Sequence, residues 1–253
     1  MSEPTSPPIP TGPTGPTGPT RRAGWAGPLG AIVFVAAGIA GFLAESSART
    51  SGFDDADNPA ESLALFAVNP TAYSMSGLAL SVGALGLLVL VFAVSETVLV
   101  DVRPLYGRCV TAFGTIAAGL FFLGGVIRLQ APGTVSYIAA LDRDWGLAAY
   151  LAVQMSGTQG ALSAAIYAVA IWAVSLCAVA ARAGRLPVPV LVLGGLPALV
   201  LLVPLAALFA RLIGQASLDV LFPVYLLAVF GGIPLFTLGL GVVLWRRRGW
   251  TVA

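Results

Sequence analysis

Polar side chains gather in one otherwise apolar stretch of the chain, and they are the first residues that could bind a substrate. These are Gln154, Ser156, Thr158, Gln159 and Ser163. At about 100° per residue of a helix, Gln154 and Thr158 face one side and the other three face roughly the opposite side. Because polar groups in lipid find partners on neighbouring helices, this helix is predicted to lie centrally. Gln154, Thr158, Gln159 and Ser163 are therefore candidates either for a pore or substrate lining or for interhelical packing.

The second candidate is a motif that occurs twice, as Gly194–Pro197 and Gly231–Pro234. Proline deletes one backbone hydrogen bond, and paired glycines let a helix unwind. Transporters place broken helices of this kind at the substrate site, which makes Gly231, Gly232 and Pro234 candidate lining residues. The alternative is a kink that allows close packing. We expect the kink, because no charged side chain lies nearby to hold a substrate.

Four acidic residues follow the first apolar segment: Asp54, Asp55, Asp57 and Glu61. Clustered carboxylates can bind calcium. The cluster also resembles one of the two acidic motifs with which prenyl-chain enzymes hold magnesium around a diphosphate, but this chain has a single such motif. We expect a solvated loop, in which Asp57 or Asn58 caps a short helix over residues 60–68, and we predict no metal site.

The absence of histidine removes most site chemistry. The 253 residues include no His, and every basic residue is Arg. His-bound zinc, His-ligated haem, imidazole proton relays, catalysis by a His pair and a Ser–Lys dyad are all excluded. The two cysteines, Cys109 and Cys177, cannot build a metal site alone and are expected to be free thiols that pack as small residues. We therefore predict no enzyme activity and no cofactor, and the net charge of +2 indicates no nucleic acid partner.

Six long apolar segments must position these residues. Hydrophobic residues make up 58% of the chain and charged residues 9%, with a mean hydropathy of +0.92, whereas a soluble domain carries about 25% charged residues. We predict an all-α fold: a polytopic membrane bundle of six transmembrane helices over residues 25–248, between a disordered N-terminal tail over 1–24 and a short tail over 249–253. No carboxylate is predicted deep within a span, which argues against proton coupling. The predicted spans are about 27–46, 73–94, 106–127, 160–181, 188–210 and 220–245.

Two of these segments leave alternatives open. The first could be a signal peptide cleaved near Ser46–Ala48, but the long tail before it favours an uncleaved helix. The fourth apolar stretch, Trp145–Ala181, would measure about 55 Å as one straight helix. We predict that only 160–181 crosses the membrane, after an outer interfacial helix or a helical extension over 145–154, with glycines in Ser156–Gly160 allowing a bend.

The arginines predict the orientation. Nine fall in the N-terminal tail, the second and fourth gaps and the C-terminal end, against four on the other side. By the positive-inside rule both termini are cytoplasmic. Six crossings, an even number, also require both termini to lie on the same side of the membrane. Arg128 and Arg211 end two spans on the outer side, and we expect them to snorkel to the headgroups beside acidic residues such as Asp142, Asp144 and Asp219.

These observations predict a multi-pass protein of the bacterial plasma (inner) membrane that is a non-catalytic accessory or structural component. The alternative is a small solute carrier or channel that uses the broken fifth and sixth helices. Under either function, the expected partners of the protein are the lipid bilayer and either another protein or further copies of the chain. A carrier predicts a polar cavity near Gly231–Pro234, whereas an accessory component predicts a dry bundle.

Overall fold

The computed structural model describes residues 20–50, 63, 69–100, 102–212 and 221–248, and these residues are helical apart from short turns. Several sequence predictions fall outside them: the N-terminal tail up to residue 19, the C-terminal tail, the acidic cluster after the first span, and the side chain of Arg211. Residues 20–24, which we assigned to the tail, belong to the first helix.

The helices are, in chain order, α1 (Thr20–Thr50), α2 (Pro70–Thr97), α3 (Pro104–Leu141), α4 (Arg143–Val153), α5 (Ser163–Arg182), α6 (Val188–Gly195), α7 (Ala198–Leu212), α8 (Leu221–Leu227) and α9 (Ile233–Arg248). Two π-helical segments join some of them: π1 (Gln154–Leu162) lies between α4 and α5, and π2 (Ala228–Gly232) lies between α8 and α9.

Six stretches of these elements are long and apolar enough to cross a membrane, and we number them as spans 1 to 6. They are Trp25–Ser47, Pro70–Thr97, Pro104–Leu141, Arg143–Arg182, Val188–Ala206 and Leu221–Arg247. The predicted all-α bundle of six transmembrane helices is confirmed.

Successive spans run antiparallel, and the last span returns to the first. Trp25 lies near Trp245, with 6.5 Å between ring centroids, while Phe42 lies near Phe230 at 5.6 Å toward the other end. Each span packs on the next in sequence and span 6 packs on span 1, which closes the bundle. We call the end with Trp25 and Trp245 the arginine-rich end. The opposite end, where α3 and α4 form a helical hairpin, is called the hairpin end.

Glycines set the spacing between the first three spans. A Cβ at Gly30 would lie 2.6 Å from the carbonyl oxygen of Gly86, and a Cβ at Gly86 would lie 2.8 Å from that of Gly30. Spans 2 and 3 meet in the same way, with Gly77 against the carbonyl of Gly125 at 2.6 Å and Gly125 against that of Gly77 at 2.7 Å. Small residues of this kind let helix backbones approach closely in lipid, where dispersion contacts drive association.

The centre of the bundle is apolar and tightly packed. Trp172 is 1% exposed and lies edge to face with Phe236, at 6.0 Å between ring centroids. Gly114 lies against both Trp172 and Val91, so that an added Cβ would meet Val91 Cγ2 at 2.6 Å. Leu87 and Leu240 complete this core without any measurable exposure.

The last part of span 3 and the first part of span 4 form a helical hairpin. From Arg128 to Leu141, α3 extends about 20 Å further at 1.5 Å per residue, and α4 returns against it. Gly146 lies in contact with Ala139 across the hairpin. Of the two alternatives for residues 145–154, the structure has the helical extension.

The two repeated motifs differ in backbone structure. In span 5, α6 ends at Gly195, and a single turn over Leu196–Pro197 precedes α7. In span 6 the helix continues through π2, which ends directly before the turn that contains Pro234. A wider π turn accommodates a proline, whose ring and missing N–H are incompatible with a regular preceding turn.

Candidate functional site

A buried arginine joins three spans at the hairpin end. Arg128 Nη1 donates hydrogen bonds to Glu45 Oε2 at 2.9 Å and to Ser76 Oγ at 3.4 Å. The side chain of Arg128 is 8% exposed and that of Glu45 26%, while Ser76 is buried. The three residues belong to spans 3, 1 and 2, so this arginine cluster ties those spans together.

Neighbouring glycines direct Arg128 into the bundle. Arg128 follows Gly125 by about one helical turn and shares its face. That face is pressed against span 2, where a Cβ at Gly77 would lie 2.9 Å from the backbone carbon of Arg128. The spacing from Gly125 to Arg128 was the available signal in the sequence, and our prediction did not use it.

The cluster lies at the boundary of the apolar layer. Glu45 and Arg128 are roughly 30 and 36 Å along their helices from Trp25 and Pro104, and the hydrocarbon core of a bilayer is about 30 Å thick. Charged groups there are costly unless they are paired. The cluster therefore suits a structural link between spans.

The snorkelling that we predicted for Arg128 is wrong, because its side chain is buried and bonded to Glu45. We had expected acidic residues of the outer gaps beside it. One of those, Asp142, caps α4 instead: its Oδ1 accepts hydrogen bonds from the N–H of Asp144 at 2.8 Å and of Trp145 at 3.0 Å.

A second arginine links spans at the arginine-rich end. Arg247 Nη1 donates to the carbonyl of Thr97 at 3.1 Å, and Nη2 donates to the carbonyl of Arg185. Thr97 is the last residue of α2, and Arg185 closely follows α5. Because the last carbonyls of a helix lack intrahelical donors and favour a nearby cation, Arg247 ties span 6 to the ends of spans 2 and 4.

The polar residues of span 4 lie toward the hairpin end. Gln154 is roughly 40 Å along the span from Arg182, beyond the thickness of the apolar layer, and its Nε2 donates to the Tyr150 hydroxyl at 3.2 Å. Ser163 is half-buried at the start of α5. Thr158 and Gln159 lie in π1, and their side chains are outside the described residues. A substrate lining by these four residues stays a prediction.

Gly232 packs against the break in span 5. A Cβ on Gly232 would lie 2.8 Å from Leu196 Cβ and 3.5 Å from Pro197 N, whereas a Cβ on Gly231 would meet a side-chain atom of Leu227 at 3.5 Å. The contact between Gly232 and Leu196 is tighter than any ordinary packing contact, whereas the contact between Gly231 and Leu227 is normal van der Waals contact. Gly232 is therefore the glycine on which the approach of the two helices depends.

The other copy of the motif packs in a reciprocal way. A Cβ on Gly194 would collide with Cys177 Sγ and would lie 3.0 Å from Phe236 Cε2. Pro234 is half-buried, and its carbonyl accepts a hydrogen bond from the buried Thr237 hydroxyl at 2.9 Å. In each motif one glycine, Gly194 or Gly232, makes a close contact with a neighbouring helix, which favours packing over a substrate site.

Both cysteines are free thiols, as predicted. Cys177 packs against Gly194 as expected, but Cys109 is exposed, so the packing role that we predicted for Cys109 is wrong. In the described part of the chain, no three His, Cys, Asp or Glu residues are grouped closely enough to hold a metal ion.

The helical bundle and its polar links define a class: a multi-pass helical membrane protein whose charged residues connect its spans. No protein-family model, no curated protein and no solved structure matches the chain. The class therefore rests on the apolar spans and their packing alone.

Proposed function

We propose that this protein is a non-catalytic structural or accessory component of the bacterial plasma membrane, with both termini in the cytoplasm. The observation that carries the proposal is the presence of polar links between spans at both ends of a bundle whose centre is packed. At one end Arg128 joins spans 1, 2 and 3, and at the other Arg247 joins spans 2, 4 and 6.

These links matter because a carrier must open a path from one side and then from the other. That motion requires groups of helices to separate at each end in turn. Here the separation would break the Arg128–Glu45 ion pair at the hairpin end, and the bonds from Arg247 to the carbonyls of Thr97 and Arg185 at the other end. A rigid bundle suits a component that holds a surface in place for a partner.

The hairpin offers such a surface. Tyr137, Leu141 and Trp145 of the hairpin are between 68% and 73% exposed. We infer from the apolar thickness of about 30 Å that this part of the hairpin lies outside the membrane. Large apolar side chains that are exposed together outside the membrane favour contact with another protein. The partner is either a different protein or another copy of this chain.

A small carrier or channel is the second candidate. It is favoured by the irregular backbone that spans 5 and 6 share, at the turn Leu196–Pro197 and in π2, because discontinuous helices supply backbone groups for binding in transporters.

Purification of the tagged chain in a mild detergent distinguishes the candidates. We expect a second protein at fixed stoichiometry, or a defined homo-oligomer. Trp145→Ser should release the partner, whereas Leu105→Ser, which alters an equally exposed apolar residue at the other end, should not. A homogeneous monomer that moves a solute into vesicles would contradict the proposal and favour the carrier.

A further inference from the structure

A shallow, open groove of about 470 Å³ follows α3 beside the end of α2, at the arginine-rich end. It is lined by Ser95, Arg108, Thr111, Ala112, Thr115 and Ile116. Neither the arginine cluster nor the glycine–proline motifs contribute to it, so its lining calls for a separate explanation.

The end of the groove nearest the helix terminus is polar and cationic. Arg108 lies about 6 Å into α3 from Pro104, and in the described part of the chain it has no acidic partner. The Thr111 hydroxyl is 2.9 Å from the Gly107 carbonyl and 3.0 Å from Ser95 Oγ. Because the single Thr111 hydrogen goes to the Gly107 carbonyl, the Ser95 hydroxyl donates to Thr111 Oγ1, and Arg108 is the group that can donate to a ligand here.

The rest of the groove is apolar and follows one face of α3 toward the middle of the membrane. Ala112, Thr115 and Ile116 are exposed along this face, one and two turns beyond Arg108. Gly119 continues it, and a Cβ there would meet nothing within 4 Å. From Arg108 to Gly119 the face is about 16 Å long, which is the length of an extended acyl chain segment rather than of a small ion.

We propose that this groove binds a phospholipid with an anionic headgroup from the leaflet at the arginine-rich end. Its phosphate accepts hydrogen bonds from Arg108, and one acyl chain lies along Ala112, Ile116 and Gly119. Guanidinium groups bind phosphate through paired hydrogen bonds, and basic pockets between transmembrane helices are typical sites for anionic headgroups.

The lining also favours an anionic headgroup over one that carries an amine. None of the six lining residues is acidic, so the lining offers the ammonium of phosphatidylethanolamine no carboxylate and places it near Arg108. Phosphatidylglycerol has no such positive group. A free phosphate ion would bind Arg108 but would leave the apolar part of the groove empty.

Native mass spectrometry of the full chain in detergent, with phosphatidylglycerol or phosphatidylethanolamine added at equal concentration, tests the proposal. We expect several-fold more retained phosphatidylglycerol. Arg108→Gln should lower that retention about fivefold, from roughly 1 kcal/mol per basic residue near a lipid headgroup. Ala112→Trp keeps the charge but fills the groove, and it should lower retention to a similar extent.

Arg103→Gln is the matched control, because Arg103 is exposed at the same end of α3 but does not line the groove. An equal loss in Arg103→Gln and Arg108→Gln would indicate diffuse attraction of anionic lipid and overturn the proposal. Equal retention of the two lipids, or full retention in Ala112→Trp, would overturn it as well. Binding of inorganic phosphate alone, abolished by Arg108→Gln while lipid retention stays unchanged, would assign the site to a free anion instead.

Discussion

Arg128 shows how strongly a single charged residue depends on the small residues around it. Its guanidinium reaches Glu45 and Ser76 because Gly77 and Gly125 bring the backbones of spans 2 and 3 together. The same side chain beside a larger neighbour would have room only on the lipid-facing side. Helix packing therefore positions the Arg128 side chain, and the bonds of Arg128 to Glu45 and Ser76 stabilise the packing at this end.

Replacing Arg128 with Gln should destabilise the bundle, because Glu45 would lose its partner in a partly buried position. Breaking one half of a buried pair costs roughly 3–5 kcal/mol, and the partial exposure of Glu45 places the expected loss at or below the lower limit. Arg143→Gln, which alters an exposed arginine of the hairpin, should have little effect. Denaturant unfolding in detergent measures both.

The pairing itself is tested by a double-mutant cycle with Glu45→Gln. The double variant should be less destabilised than the sum of the two single variants. Strict additivity would show that the ion pair does not contribute as a pair.

Two adjacent glycines offer a second comparison at the scale of single residues. Gly232→Ala would place a Cβ 2.8 Å from Leu196 Cβ, and overpacking of this kind typically costs about 1–3 kcal/mol. Gly231→Ala meets ordinary contact only and should be neutral or slightly stabilising, since Ala is the better helix former. Thermal unfolding in detergent distinguishes the two variants. A Gly232→Ala protein with an unchanged melting temperature but with lost uptake of a solute would favour the carrier.

At the scale of elements, the irregular turns coincide with residues that a regular helix cannot accommodate. Pro197 lies in the single turn that separates α6 from α7 in span 5. Pro234, in contrast, is preceded by π2 within a continuous span 6. Gly157 of π1 packs against Ile127, where a Cβ would lie 2.6 Å from Ile127 Cγ2. The irregular turns therefore maintain helix contacts where side chains or proline rings would otherwise keep the helices apart.

The helical hairpin depends on a helix cap. Asp142 separates α3 from α4 and accepts two backbone hydrogen bonds at the start of α4. Asp142→Ala should cost about 1 kcal/mol, whereas Asp142→Asn should retain most of the cap. Hydrogen exchange of the α4 amides measures the effect locally. Equal exchange in the two variants would show that packing on α3, and not the cap, maintains the hairpin.

At the scale of the whole molecule, the six spans form a closed bundle in which chain neighbours are also spatial neighbours. Elements that follow each other along a chain usually lie side by side, and this bundle has that order. The pairing of span 6 with span 1 was not implied by the hydropathy pattern. It rests on contacts such as Gly27 with Leu244 and Gly241 with Ala31.

The orientation of the bundle gives the last prediction. Reporter fusions after Asn58, Asp142 and Gln215 should report an outside location, and fusions after Arg103 and Arg185 a cytoplasmic one, because nine of the arginines fall on the second side. Alkaline phosphatase and fluorescent-protein fusions measure the two locations. A cytoplasmic signal from the fusion after Asn58 would contradict the six-span orientation.

The sequence by itself determined the helical class, the number of spans and most of their bounds, because membrane insertion depends on local hydropathy that neighbouring residues share. The sequence also excluded the kinds of catalysis that require His or Lys, because the chain contains neither residue. It placed the end of span 3 near residue 127, although the helix continues to Leu141, because a helix that leaves the membrane no longer needs apolar residues on every face.

Only the tertiary structure decided which residues meet. The link from Arg128 to Glu45, the bonds from Arg247 to the ends of spans 2 and 4, and the contact of Gly232 with Leu196 join residues that are distant along the chain. Hydropathy says that a segment is in lipid but not which of its faces points to a neighbour. In a bundle where nearly every face is apolar, that choice is made by the fit of small residues against backbones, and this fit depends on two helices at once.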